Sequence, residues 1–378
     1  MIRLTIPSIE KEDLETVCEV LESGYLTQGS YVHDFEDAIA DYVKTKHVVA
    51  VSSCTAALHL SLLSLGLKTG DLAVVTTYSW IATANVIELC GAQPVFVDIC
   101  PDTFNMDPNR LETVLKNLRK TIKRSKQLKA IIPVHAFGQA ANMPEIIRIS
   151  EQYGIPVVED AACALGASIG GCQAGNWGIM GCFSFHPRKA ITTGEGGAVA
   201  TKEKSLADRI RTLRNHGQDA TSKNVHFIIP GFNYRMTDFQ AAMGIRQLHK
   251  LDRIIASRRR LAENYNSLLS QTPVTAPNIS SGSEHIYQSY VILLPAQLKR
   301  RRNSMIDYMR RQGIETSIGT LHIPMTNYFQ NRYGYKIGDF PVTDDVFARS
   351  ISLPMYENLT EANQIQVVKT LSRFIEDS

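Results

Sequence analysis

Short apolar segments alternate with amphipathic ones over the first half of the chain, and this alternation limits the possible folds more than any other feature. The apolar segments predict buried strands, and the stretches between them have apolar residues at helical spacing. Strands that are each followed by a helix connect by right-handed crossovers, which gives a mainly parallel sheet with helices on both faces. The predicted strands are 47–53, 72–77, 94–99, 131–135, 157–160 and 197–201.

Small and hydroxyl residues follow the first of these strands, in the segment 52–57. Ligands of such sheets bind at the carboxyl ends of the strands, and a helix that begins there offers free amides to an anion. We expect the Thr55 hydroxyl, the Ala56 amide and the Ser184 hydroxyl to bind a phosphate. The same segment would serve equally well as an ordinary helix cap.

A lysine stands just beyond another apolar strand, predicted at 182–185. Pro187 ends the strand because its nitrogen has no proton to donate, and Lys189 follows before the glycine-rich turn 192–197. Partial burial at such a place lowers the pKa of a lysine and makes its amine nucleophilic, which is the chemistry of a Schiff-base lysine. Taken alone, a lysine near a strand end is more often a solvated surface charge.

An aspartate, Asp160, ends the predicted strand 157–160 at the same edge of the sheet as Lys189. A pyridoxal phosphate enzyme places a carboxylate there to keep the pyridine nitrogen protonated, while a lysine carries the cofactor. Since each residue needs the other for this chemistry, the pair predicts a site for pyridoxal 5'-phosphate, with Lys189 and Asp160 as its catalytic residues.

Four longer motifs follow one another along the chain: VVEDAACALGA, FSFHPRKAITTGEGG, RNHG and GFNYRMTDFQAAMGIRQL. Together they resemble the DegT family of nucleotide-sugar aminotransferases, and the similarity extends from about Leu26 to the last predicted helix. The resemblance implies an α/β fold of type I, with a mainly parallel sheet sandwiched by helices. A change of pattern near Leu248 divides the chain into a large cofactor-binding α/β domain, 1–248, and a smaller C-terminal α+β domain, 249–378.

The resemblance also implies further cofactor contacts. Trp80 corresponds to an aromatic residue that stacks on the cofactor ring, although a tryptophan at a strand-to-helix junction commonly belongs to the core. Asn233 corresponds to a residue that reaches the phosphate from the neighbouring subunit, although it is also a typical turn residue after Pro230 and Gly231. Cys163 departs from the family, which commonly has glutamine or histidine there, and a thiol is a weak hydrogen-bond partner.

Two residues are candidates for substrate contact. Thr27 belongs to a turn, 26–29, that borders the active site in the family. His322 follows a stretch, 317–322, where many relatives carry a histidine-tyrosine pair at the sugar site, and that pair is absent here.

The reaction implied by the resemblance is transfer of an amino group from an amino acid, L-glutamate in the family, to a nucleotide-linked keto-sugar in surface-polysaccharide or amino-sugar biosynthesis. The resemblance also implies a homodimer with shared active sites. One alternative is a sugar dehydratase that uses the amine form of the cofactor, but such relatives have histidine at the position of Lys189. Another is a non-catalytic regulatory protein on the same fold.

Composition excludes several other classes. The net charge of +3 gives no reason to expect nucleic acid, and no apolar run is long enough to span a membrane. No secretory leader opens the sequence, so we expect a cytoplasmic protein. Seven scattered cysteines without CxxC spacing predict neither a disulfide framework nor a metal site. A basic run between Lys116 and Lys129 suits the end of a helix or an anion site for a nucleotide diphosphate.

Overall fold

The computed structural model describes residues 1–121, 127–222 and 224–377. Part of the basic run, 122–126, therefore lies outside the described residues. The strands are β1 His47–Val51, β2 Leu72–Thr76, β3 Tyr78–Ser79, β4 Gln93–Val97, β5 Leu128–Ile132, β6 Val158–Asp160, β7 Ser168–Ile169, β8 Cys172–Gln173, β9 Met180–Ser184, β10 Gly197–Thr201, β11 Ser283–Glu284, β12 Tyr290–Leu293, β13 Ser317–Ile318, β14 Leu321–His322 and β15 Ser350–Leu353. The helices are α1 Lys11–Ser23, α2 Ser30–Val43, α3 Cys54–Ser64, α4 Ala82–Leu89, α5 Pro108–Thr121, α6 Met143–Tyr153, α7 Lys204–Arg214, α8 Asp238–His249, α9 Leu251–Leu269, α10 Arg302–Arg311, α11 Asn327–Tyr333, α12 Pro341–Arg349 and α13 Glu361–Glu376.

A central sheet has the strand order β4-β2-β5-β6-β9-β10-β1. Strands β4, β2 and β5 are parallel, as are β6 and β9, and the parallel bridges Ile131–Val157 and Val134–Asp160 join the two groups. Strand β10 runs antiparallel to both of its neighbours, β9 and β1. Its direction follows from its connection, because a loop without a crossover helix leads directly from β9 to β10. The predicted mainly parallel sheet is confirmed.

Helices cover both faces of this sheet because its central strands are apolar on both sides. In β1, Val48 and Ala50 face one buried cluster, and Val49 and Val51 face another. Helix α3 lies in the second cluster and is buried along most of its length. A sheet buried on both faces leaves its strand ends as the place where ligands can enter.

The C-terminal part of the chain contains a smaller antiparallel sheet, β12-β15-β13, packed against α9, α10 and α13. The N-terminus joins this layer, since Ile2 pairs with Ile314 and lies in the same buried cluster. None of the helices in the described ranges is both long and apolar enough to cross a lipid bilayer.

Segments of the C-terminal part also close over the central sheet. Strand β14 pairs with β3, and the ring of Phe96 on β4 meets the ring of Phe329 edge to face, with 5.4 Å between centroids. The Asp98 carboxylate, which follows β4, accepts hydrogen bonds from the amides of Val342 and Thr343 at the start of α12. Two regions that are distant in sequence therefore build one edge of the large sheet.

Helix α1 shows where periodicity alone misleads. Its apolar residues recur at helical spacing, and the helix ends at Gly24, which adopts a left-handed conformation with φ of 73°. Leu14 and Leu21 are nevertheless exposed, while Asp13 faces inward and pairs with Lys250. This buried ion pair joins α1 to Lys250 at the end of α8, while Leu14 and Leu21 form an apolar stripe on the exposed side of the helix.

Candidate active site

Lys189 lies in the loop that connects β9 to β10. The loop folds back on the end of β9, because the amide of Thr193 and the hydroxyl of Thr192 both donate to the carbonyl of Phe185. The amide of Lys189 donates to the carbonyl of His186 at 2.8 Å, on the other side of Pro187. These bonds hold Lys189 half-buried at the edge of the sheet.

The Lys189 ammonium donates to the Cys163 sulfur, with 3.1 Å between Nζ and Sγ. Burial lowers the pKa of Lys189, but Cys163, Cys54 and Asp160 together raise it more, so the pKa stands above its usual value. The lowered pKa expected from the sequence is therefore wrong. The sequence showed the partial burial but not the groups from other segments that surround the amine.

Asp160 ends β6, with 4% of its surface exposed. One carboxylate oxygen accepts from the Thr83 hydroxyl at 2.7 Å, and the other accepts from the Ala162 amide at 3.1 Å. A carboxylate has about four acceptor positions, so Asp160 keeps acceptor capacity on the side of Lys189. The structure thus brings Asp160 close to Lys189, as predicted, and also places Cys163 beside the Lys189 amine.

Thr83 is a residue that the sequence analysis missed. It is buried in the first turn of α4, and its hydroxyl also lies 3.2 Å from the carbonyl of Trp80. The signal was present, since a threonine that begins a helix at this sheet edge can turn its hydroxyl toward a neighbouring strand end. Thr83 thereby connects Asp160 to the segment that carries Trp80.

Trp80 is 63% exposed, and its carbonyl accepts from the same Thr83 hydroxyl that donates to Asp160. A large aromatic surface left open at a strand end is available to cover a planar ligand. Stacking of Trp80 on the cofactor ring stays a prediction.

The start of α3 combines a helix cap with an open hydroxyl. Ser53 caps the helix by accepting from the Ala56 amide at 3.1 Å, so the Ala56 amide expected to bind phosphate already has a partner. Thr55 is exposed beside it. Ser184, at the end of β9, is buried, and its hydroxyl accepts a 3.4 Å bond from the His186 amide.

The three other predicted residues make contacts of their own. Asn233 is exposed on a segment whose backbone bridges Asn215, and Thr27 is exposed on a turn that bridges Thr237 before α8. His322 is buried, with its Nε2 3.0 Å from an Asp344 oxygen. Within the described ranges none of these three side chains is hydrogen-bonded to Lys189, but the carbonyl of Tyr234, next to Asn233, accepts from the Ser52 amide just before α3.

The residues at this edge fit pyridoxal 5'-phosphate. They supply an amine for its aldehyde, a carboxylate for its ring nitrogen, and hydroxyls with a helix N-terminus for its phosphate. A Cβ added to Gly197 would lie 2.5 Å from the Cys54 nitrogen, so β10 packs directly against the turn that begins α3. Across the described ranges, no three His, Cys, Asp or Glu side chains gather in a way that could hold a metal ion.

Comparison with known proteins gives matches along nearly the whole chain. GDP-perosamine synthase of Caulobacter vibrioides is 34% identical over 378 residues, which cover 99% of this chain and 98% of that protein. A solved DegT DnrJ EryC1 StrS aminotransferase from Brucella abortus is 31% identical, with a TM-score of 0.89 over 97% of this chain and 96% of that one.

A second solved structure is PseC of Helicobacter pylori, an aminotransferase involved in the biosynthesis of pseudoaminic acid. It is 26% identical, with a TM-score of 0.90 over 99% of each chain. The family model for DegT/DnrJ/EryC1/StrS aminotransferases matches residues 7–372. The chain therefore belongs to the DegT/DnrJ/EryC1/StrS aminotransferase family.

Proposed function

We propose that this enzyme transfers an amino group from L-glutamate to a keto-sugar carried on a nucleoside diphosphate, with Lys189 and Asp160 as its catalytic residues. The aminotransferases of this family use pyridoxal 5'-phosphate as their cofactor. The observation that carries the proposal is the convergence of Lys189, Asp160 and Cys163, from two separate segments, at the carboxyl edge of the sheet.

The two catalytic residues act on different atoms. When bound, the cofactor supplies an electron sink for the carbanion that forms at the α-carbon of the donor. In its neutral form, the Lys189 amine would move the proton between the α-carbon of the donor and the C4′ atom of the cofactor. Asp160 would hold the cofactor ring by its nitrogen and favour the protonated form of that nitrogen, and the Thr83 hydroxyl donates to the Asp160 carboxylate.

The remaining predicted residues bind rather than react. Thr55 and Ser184 donate hydroxyl hydrogens to the phosphate beside the N-terminus of α3, and the amides of the first helical turn favour its negative charge. Trp80 would cover one face of the ring. Cys163, which accepts from the Lys189 ammonium, would pack near the ring.

Two relatives support a nucleotide-sugar substrate. One is a GDP-perosamine synthase, whose name includes the nucleotide GDP, and the other, PseC, is described as an aminotransferase involved in the biosynthesis of pseudoaminic acid. Lys189 itself speaks against the dehydratase branch, which has histidine at that position.

We also propose that each chain has two domains, 1–248 and 249–378. Two copies of the chain would form a homodimer in which both copies contribute residues to each active site. Leu14 and Leu21 form an exposed apolar stripe on α1, and Phe227 and Ile228 are exposed in the segment that leads to Asn233. Exposed apolar groups of this kind favour burial against a second copy of the chain. The position of Asn233 on the outer surface suits a contact with the partner's phosphate.

Incubation with L-glutamate and keto-sugars linked to different nucleoside diphosphates tests the reaction. The expected products are 2-oxoglutarate and an amino sugar, both identified by mass spectrometry. Absence of turnover with every keto-sugar, in protein that retains the cofactor, would contradict the proposal.

Mixed dimers test the shared site. Asn233→Ala should weaken cofactor retention, and mixing Lys189→Ala chains with Asn233→Ala chains should restore part of the activity. Recovery is expected because one site in each mixed dimer then contains neither change. Mixed dimers that form without recovery would return Asn233 to the role of a turn residue.

A further inference from the structure

A glutamine of the C-terminal part of the chain, Gln288, is hydrogen-bonded to the Lys189 loop. Gln288 lies just before β12, is 7% exposed, and donates a hydrogen bond from its side-chain amide to the carbonyl of Arg188. That carbonyl belongs to the peptide group that leads directly into Lys189. The contact joins residues 100 positions apart in sequence.

Gln288 is itself held in place by Arg258 of α9. The Arg258 guanidinium is 3% exposed and donates to the carbonyls of Tyr287 at 3.1 Å and Gln288 at 3.0 Å. Burial lowers the pKa of Arg258 to about 10, so the guanidinium still carries its charge at neutral pH. A charged donor shared by two successive carbonyls fixes this stretch of backbone firmly.

The backbone around Gln288 has little freedom. Tyr287 adopts φ of +49°, in the left-handed region that favours glycine, so surrounding contacts must hold it there. Gly138 packs so closely that a Cβ on it would lie 2.8 Å from the Gln288 nitrogen, and the Ile286 amide donates to the Gly138 carbonyl. Gln288 therefore presents its amide from a rigid support.

A second buried glutamine holds the far end of the same loop. The Gln247 side chain, on α8, accepts from the Thr192 amide at 3.3 Å and donates to the Ser8 carbonyl at 2.7 Å. Gln247 supports the loop from the first part of the chain, whereas Gln288 supports it from the C-terminal part. Lys189 lies between the two supports.

We propose that Gln288 is a positioning residue for Lys189, and that through Arg258 it ties the direction of the Lys189 amine to the C-terminal part of the chain. The inference rests on the proposed function of Lys189. Rotation of the peptide group that precedes Lys189 moves the Nζ atom at the end of a long side chain. A displacement of about 1 Å at a reacting group can cost roughly a hundredfold in rate.

The test compares Gln288→Leu and Gln288→Glu with wild type in the cofactor-loaded enzyme. Neither variant donates to the Arg188 carbonyl at neutral pH. The rate of the half-reaction with L-glutamate should fall by about tenfold or more, on the scale of one lost hydrogen bond, while the KM for glutamate stays within about twofold. Gln139→Leu is the matched control, because Gln139 is equally buried nearby but binds the 278–280 backbone instead.

Two further readouts separate positioning from general stability. Lowering the pH should partly restore the rate of Gln288→Glu but not of Gln288→Leu, because a protonated carboxyl group can again donate to the carbonyl. In protein freed of cofactor, hydrogen exchange of the amides in 188–193 should be faster in Gln288→Leu than in the Gln139→Leu control.

Wild-type rates in both Gln288 variants would overturn the inference, as would a rate loss that the Gln139→Leu control reproduces. The proposed function fails on different grounds. In that case wild-type protein itself would give no half-reaction with glutamate and would not carry its cofactor on Lys189.

Discussion

Glu159 and Asp160 are neighbours on β6, and both are buried, with 0% and 4% of their surfaces exposed. Their side chains point to opposite faces of the sheet because successive residues of a strand alternate. Glu159 accepts from the amides of Gly175, Trp177 and Gly178 and also contacts the His135 ring nitrogen. The Asp160 carboxylate, by contrast, accepts two hydrogen bonds within the described part of the chain, from Thr83 and Ala162.

The difference separates a structural carboxylate from a candidate functional one. Burial does not distinguish them, since both are almost fully enclosed. The acceptor positions of Glu159 are filled by the protein, so a ligand could bind there only by breaking the fold. Asp160 keeps acceptor capacity on the side of the sheet where Lys189 lies.

Removal of the Lys189 amine is the strongest test of a functional role for the face of the sheet that carries Asp160. Lys189→Ala should reduce turnover to background because no other side chain is proposed to move the proton at the α-carbon. In wild type, borohydride treatment should fix the cofactor to Lys189, as located by peptide mass spectrometry. Lys202→Ala, which removes an exposed lysine from the end of β10, is the control and should remain active. Cofactor found on a different lysine would sink the assignment.

Substitution of Glu159, on the opposite face of β6, should lower the stability of the protein. Glu159→Ala leaves three backbone amides and the His135 ring without their acceptor, and we expect the free energy of unfolding to fall by about 3–5 kcal/mol. Turnover per folded molecule should stay close to wild type. Denaturant unfolding measures the first quantity and an activity assay on the folded fraction the second. A stable but inactive Glu159→Ala protein would reverse the comparison.

Asp160→Asn should produce the contrary pattern. Asparagine cannot hold a proton on the ring nitrogen by charge, so turnover should drop by about a hundredfold or more. Its similar shape should keep the loss of stability well below that of Glu159→Ala. Steady-state kinetics and unfolding curves of the two variants, measured side by side, show whether Asp160→Asn mainly loses turnover while Glu159→Ala mainly loses stability. Near-normal turnover would show that another group supports the ring nitrogen.

The smallest effect is expected at Thr83. Thr83→Val keeps the volume but removes the hydroxyl that donates to Asp160, and turnover should fall by about fivefold, the scale of one hydrogen bond. Thr83→Ser retains the hydroxyl and should recover most of the rate. Equal rates for the valine and serine variants would show that Asp160 needs no help in orientation.

The sequence predicted the sheet and the meeting of Lys189 with Asp160 because both depend on local patterns. Apolar alternation identifies strands, and the rule that ligands bind at carboxyl ends brings strand-end residues together. Periodicity carries no information on strand direction, so the antiparallel β10 had to come from the structure.

Contacts between distant segments could not be predicted from the sequence either. The bond from Thr83 to Asp160 spans 77 positions, and the burial of His322 against Asp344 depends on how α12 packs. For the same reason, the pKa of Lys189 is raised and not lowered as predicted, because Cys163 and Cys54 approach the amine from other segments. The roles predicted for Trp80, Asn233 and Thr27 remain predictions.

The bond between Asp98 and the start of α12 also has a consequence for how the protein is made. Asp98 and Thr343 are 245 positions apart. A ribosome therefore finishes the strand before Asp98 roughly 10–50 s before it delivers the helix that covers that edge. During this interval the nascent sheet exposes Phe96, whose later partners include Phe329 and Phe340. We expect chaperones that bind apolar segments to act on this edge during synthesis.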